Sequence, residues 1–148
     1  MGIKDKEPRR SDLTEISGSM VIPHEFIDAN GHVNNASYLI IYERARADYF
    51  LKASGMTMEE ARAVLGIRSF IVELGLHFKK PILEGEQVEI FTAAEIVKHH
   101  IEFSQRITKD GADVSDFNCK ICIVDDNGMP QRLPDRIKDI ISQANLRI

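Results

Sequence analysis

Residues 26–46, FIDANGHVNNASYLIIYERAR, set an aspartate, three asparagines, a glycine and a histidine directly before a long apolar helical pattern. Asp28 carries a carboxylate that can attack a carbonyl as a nucleophile or activate a water as a general base. Asn30 can orient water or substrate, and His32 can act as a second base or a hydrogen-bonding group. Gly31 allows the chain to fold back, which brings Asp28 towards the helix that starts seven residues on. The first turn of a helix leaves N–H groups unpaired and carries partial positive charge. Such donors hold the oxyanion that forms when an acyl carbonyl is attacked, and one donor is worth about 10²–10³ in rate. The bland reading uses the same residues: Asp28 and Asn30 are common turn formers, and Asn34 or Asn35 is a good helix cap.

Other candidate groups are weaker. Ser19 and Ser37 lie in no nucleophile-elbow context. His99 and His100 have no carboxylate or cysteine at metal-ligand spacing. Cys119 and Cys122 form a CxxC, but DFNCKICIV reads as a strand, so side chains three apart point to opposite faces. No second cysteine pair or nearby histidine completes a zinc site, so the two are expected to be ordinary strand thiols. Glu43 and Arg46 stand at the i, i+3 spacing of a solvated helix pair.

The elements that must position the loop follow from periodicity. SGSMVIPHEF predicts a first strand, bent or at an edge because of Pro23. NASYLIIYERARADYFLKAS carries Tyr38, Tyr42, Ala45 and Tyr49 at four-three-four spacing. Leu39, Ile41 and Phe50 widen that apolar face, which implies a helix wrapped by its surroundings, ended by Gly55. TMEEARAVLG predicts a short helix with Thr57 as N-cap and Glu60 closing a capping box. The period then changes to two. Phe70, Val72, Leu74, Leu76 and Phe78 are expected on one strand face, with Ser69, Ile71, Glu73 and His77 on the other. Further strands are expected over 87–97, 100–108 and 114–124, with a hairpin at Asp110–Gly111 and a short closing helix in LPDRIKDIIS. Four consecutive strands with short turns argue for an antiparallel sheet. One very apolar helix needs that sheet to cover it, so the architecture expected is α+β, a curved sheet wrapped around a long helix.

The chain has 148 residues and a formal net charge of -4, which removes a general nucleic-acid binder because no excess of cations is present to neutralise phosphates. No apolar run approaches the roughly 20 residues that span a bilayer, so no membrane partner is expected. MGIKDKEPRRSDLTE lacks the apolar segment of a secretion signal, and Lys6 breaks the myristoylation pattern. Residues 1–14 are expected to be a mobile tail, residues 15–148 a single domain, and the protein cytoplasmic.

D-A-N-G-H-V-N-N-A-S-Y-L followed by YERAR resembles the hot-dog-fold acyl-CoA thioesterases of the 4-hydroxybenzoyl-CoA thioesterase family, and the related acyl-ACP thioesterases. The resemblance extends through FIVELGLHFKKPILEGEQVEI and covers roughly residues 15 to 141. It implies hydrolysis of a thioester of CoA or acyl-carrier protein, with no cofactor. It implies Asp28 as the catalytic carboxylate and the Asn35 backbone N–H as the group that polarises the carbonyl. Asn30 and His32 match residues with catalytic roles in the acyl-ACP branch. Gly31 and Tyr38 would border the substrate, and Glu43 is a weaker match to a helix carboxylate used by another subgroup. A homodimer or homotetramer is implied, with the site at the subunit interface and Lys98, His99 and His100 of a partner near the pantetheine or nucleotide. The competing readings are a non-catalytic acyl-CoA or acyl-carrier binding protein, and a hot-dog dehydratase.

Overall fold

The computed structural model describes residues 13–146. The expected tail falls, up to residue 12, outside the described residues; the N–H of Thr14 donates to Asn145 Oδ1 at 3.1 Å. The chain runs β1 (Ile16–Val21), a 3-10 turn (His24–Phe26), α1 (Asn35–Ser54), α2 (Met58–Leu65), β2 (Arg68–Phe78), β3 (Gln87–Val97), β4 (His100–Lys109), β5 (Ala112–Val124), β6 (Pro130–Gln131) and α3 (Asp135–Asn145). The six strands make one curved antiparallel sheet in the order β1-β3-β4-β5-β2, with the short β6 on β5. The expected α+β architecture is therefore present. β6 had no sequence signal, since two residues carry no periodicity.

Turn chemistry accounts for the connections. Asp110 and Gly111 both adopt positive φ, 53° and 82°, as a two-residue hairpin matched to the sheet's twist requires. Gly55 ends α1 in the left-handed conformation. Thr57 and Glu60 form the full capping box of α2.

The inner sheet face packs on α1 through three tyrosines. Tyr38 meets Phe78 of β2 edge-on, Tyr42 stacks on Phe117 of β5, and Tyr49 meets Phe103 of β4 edge-on, at centroid separations of 4.8, 4.8 and 5.8 Å. Each such pair contributes about 0.5–1.5 kcal/mol beyond area burial. The middle contact is fixed by hydrogen bonds as well. Tyr42 Oη donates to Ser115 Oγ at 2.7 Å, and Ser115 Oγ donates to the His77 carbonyl at 2.9 Å. Burial pushes the Tyr42 phenol far above its ordinary pKa.

Two expectations need correction. Leu39, expected on the covered face of α1, is exposed, as are Ile40 and Leu51. The strict alternation along β2 also fails. A β-bulge lies between Ile71 and Glu73, so that Ile71 pairs with Ile121 and Glu73 with Lys120. The extra residue, Val72, shifts the phase by one position. Leu74, Leu76 and Phe78 consequently share a face with Ser69 and Ile71, while Phe70 falls with Glu73 and His77 on the other.

β2 is an edge strand whose outer side pairs with no strand among the described residues. Phe70, Val72, Leu74 and Phe78 on it are 45–58% exposed. Among the described residues, no helix is long and apolar enough to cross a membrane.

Candidate active site

The loop between β1 and α1 is closed at its base by an antiparallel bridge between Ile27 and Val33. Two further bonds anchor the base to the fold. The Val33 N–H donates to the Ile82 carbonyl at 2.9 Å, and the Asn34 N–H to the Phe26 carbonyl at 2.8 Å. Phe26 and Val33 are buried, so the loop stands on core residues. Above this base the chain turns back tightly. The Gly31 N–H donates to the Asp28 carbonyl at 3.0 Å, and the Asp28 N–H to the His32 carbonyl at 3.2 Å. Gly31 has φ +87°, which explains a glycine at the tip.

The Asp28 carboxylate is held from two sides. Its Oδ1 accepts the Asn30 N–H at 2.8 Å, and its Oδ2 receives a long contact of 3.5 Å from Asn34 Nδ2. Asn34 is also the N-cap of α1, with its Oδ1 accepting the Ala36 N–H at 2.8 Å. One amide thus joins the carboxylate to the helix start. The choice between Asn34 and Asn35 as cap is resolved in favour of Asn34, and its grip on Asp28 is a positioning contact that sequence reasoning missed. At the first turn, the Ala36 N–H is taken by the cap and the Ser37 N–H by the Asn34 carbonyl at 2.9 Å. The Asn35 N–H has no acceptor among the described residues.

Asp28, Asn30, Gly31, His32 and Asn35 therefore form one cluster. Tyr38 lies one turn further along α1, buried against Phe78. Lys98, His99 and His100 do not join them within one chain. The loop sits by residues 82–86, at the start of β3, whereas Lys98 follows its end, roughly 33 Å away along an eleven-residue strand. Lys98 and His99 are exposed at the β3–β4 turn, and His100 Nε2 lies 3.3 Å from Glu102 Oε2.

A large apolar space lies elsewhere. A cavity of about 580 Å³ lies between the second half of α1, α2, α3 and the inner sheet face. Ile101, Phe103, Ile121 and Ile123 form its wall, and Arg46 and Ala47 line it from α1. Its α1 residues run from Glu43 to Phe50, about 12–22 Å beyond Asn35 along the helix. Loop and cavity occupy opposite ends of α1.

The Glu43–Arg46 helix pair expected from spacing is not formed. Arg46 Nη1 instead donates to Gln105 Oε1 at 3.0 Å, and its Cζ lies 5.3 Å from the Phe117 ring centre. Cys119 is buried and Cys122 partly so; both are free thiols. Among the described residues no cluster of His, Cys, Asp or Glu could hold a metal ion.

A model of the thioesterase-like superfamily matches residues 21–141. None of the curated proteins compared matches at a significant level. Among solved structures, a hypothetical protein from Thermus thermophilus superposes with a TM-score of 0.78 at 26% identity, covering 86% of this chain and 98% of that one. A DHNA-CoA thioesterase from Staphylococcus aureus gives 0.80 at 20% identity, with 89% and 91% covered. A further Staphylococcus aureus protein, solved in complex with CoA, gives 0.80 at 17% identity, with 90% and 85% covered.

Proposed function

The chain belongs to the thioesterase-like superfamily, a hot-dog fold, and on that premise we propose that it hydrolyses acyl-CoA thioesters to a carboxylic acid and the free CoA thiol. One observation carries the reading. A carboxylate with both oxygens held and a backbone N–H without an acceptor meet at a single loop–helix junction. A thioester carbonyl placed there points its oxygen at the Asn35 N–H, where the α1 dipole adds to the stabilisation of the developing charge. Asp28 then acts as nucleophile, or as general base for the attacking water. The carbon–sulfur bond breaks, the thiolate leaves, and the water's proton is returned to it. Asn30 and His32 are auxiliary groups facing the substrate, with Gly31 and Tyr38 shaping its approach. The CoA seen with a structural neighbour supports CoA as carrier over acyl-carrier protein.

The site is completed by a second copy of the chain. An eleven-residue edge strand with four exposed large apolar side chains is the feature that soluble proteins cover. Antiparallel pairing of two β2 edges about a two-fold axis covers it. The same operation reverses the sheet end for end. The partner's cavity and its Lys98–His100 turn then come level with this chain's Asp28 loop. The acyl group lies in the partner's cavity, and the basic turn meets the pantetheine or nucleotide.

The test is thiol release, followed with a thiol reagent, across aryl, short, medium and long acyl-CoAs. Asp28→Asn is expected to lose about 10²-fold or more of the rate with an unchanged melting curve. A panel in which nothing is cleaved would refute the hydrolase. Tight binding of intact acyl-CoA in that case would install the binding-protein reading instead.

A further inference from the structure

Thioester hydrolysis as derived above makes no use of the Arg46 guanidinium. Arg46 lines the 580 Å³ cavity, half-buried, and its guanidinium sits beside Gln105 and over the Phe117 ring. A guanidinium has five N–H donors. Among the described residues only one hydrogen bond leaves it, to Gln105. No carboxylate of the described residues lies within ion-pair distance. Glu43, one turn earlier on the same cavity, is exposed and forms no bond with it. Burial, the largest cause, pulls the Arg46 pKa below its ordinary value, and the nearby Cys119 and Glu43 offset it only in part.

Gln105 does not require a cation. It is buried, and its Nε2 is satisfied by the Tyr42 carbonyl and Thr92 Oγ1, both at 3.0 Å. The cavity lining carries three arginines, Arg44, Arg46 and Arg62, against two glutamates, Glu43 and Glu59, an excess of one positive charge. A half-buried cation with no carboxylate at ion-pair distance, beside a ligand-sized apolar space, is suited to an anion that arrives with the ligand. The planar fork of arginine matches a carboxylate in bidentate geometry.

We propose that Arg46 binds a carboxylate at the far end of the acyl group, so that the preferred substrates are carboxyacyl thioesters, with the methylene or ring spacer against Ile101, Phe103 and Ile121. This rests on the thioesterase reading and specifies its substrate class. Plain fatty acyl groups would leave the guanidinium without a carboxylate partner, and are the disfavoured class.

The experiment compares adipoyl-CoA with hexanoyl-CoA, which differ only in a terminal carboxylate against a methyl, together with matched shorter and longer pairs. For at least one pair, wild type is expected to show kcat/KM about tenfold or more higher for the carboxylated member, the scale of a charge-assisted hydrogen bond. In Arg46→Gln that ratio falls towards one, and Arg46→Lys, with charge but no fork, lies between. Wild type alone decides the matter if the variants fold poorly: equal rates at every length overturn the proposal, as does a preference that survives in Arg46→Gln. Calorimetric titration with non-hydrolysable thioether analogues of the same pair separates the two readings. An Arg46-dependent preference in binding without hydrolysis of any thioester removes the hydrolase and keeps the carboxylate reader. Hydrolysis with no charge preference does the reverse.

Discussion

Asn34 makes two contacts with one amide, and they can be separated by substitution. Its oxygen caps α1 through the Ala36 N–H, and its nitrogen reaches Asp28 Oδ2. Asn34→Ser keeps a capping oxygen but has no second arm. It is expected to melt within a few degrees of wild type while kcat falls several-fold. Asn34→Ala removes both and should also cost about 1 kcal/mol of stability. Urea unfolding and thiol release on the two variants check this; equal activity in Asn34→Ser and wild type would remove Asn34 from the positioning of Asp28. Much of this loop was legible in the sequence, because turn-forming Asp28 and Gly31 and a capping asparagine act within a few residues of each other. Arg46 was misread for the opposite reason. Its partner Gln105 is 59 residues away, and local spacing offered Glu43 instead.

At the scale of elements, β2 shows where pattern reading stops. Its existence and limits follow from composition, but the bulge at Val72 breaks the period of two, and no residue type announces it. A bulge is set by the pairing with β5, a tertiary fact. The exposed Leu74 that results faces the same way as Ile71 and stands beside the unpaired edge. Leu74→Glu places a charge at the proposed two-fold contact without entering the chain's own core. It should yield a monomer by light scattering and lose hydrolysis, with secondary structure retained by circular dichroism. An unchanged mass would exclude the β2 edge as the contact. The C-terminal end of α1 and the start of α2 were legible, since Gly55, Thr57 and Glu60 mark them with local chemistry.

For the whole molecule, the element order alone suggested one helix held by one curved sheet, because an apolar helix and four hairpin-linked strands have few other ways to cover each other. The distance between loop and cavity was invisible, since it depends on how β3 and α1 run across the sheet. The start of β3 is tied to the end of β4 by Glu86. Its carboxylate accepts the Leu83 N–H at 2.7 Å and meets Lys109 Nζ at 3.0 and 3.1 Å. These contacts, the backbone bond first, hold its pKa below the ordinary glutamate value. A depressed carboxylate stabilises the fold above its unfolded pKa, about 4.3, and that contribution disappears as pH falls through the lower folded value. Glu86→Gln should therefore melt below wild type at neutral pH, and the gap should close as pH is lowered beneath about 4. A gap that stays constant over that range would assign the loss to packing rather than to charge.

The separation of loop and cavity along α1 has a genetic consequence. Under the two-fold arrangement, each reaction draws its carboxylate from one copy and its acyl chamber from the other. Asp28→Asn damages the first contribution, and Ala47→Trp, which fills the chamber from an exposed position, damages the second. Either variant alone is inactive at both sites. Unfolded together and refolded as an equal mixture, they form mixed pairs in about half of the dimers. Each mixed pair concentrates both lesions in one site and leaves its other site whole. About a quarter of wild-type activity should return, a rescue between two dead alleles that no single-chain site can produce.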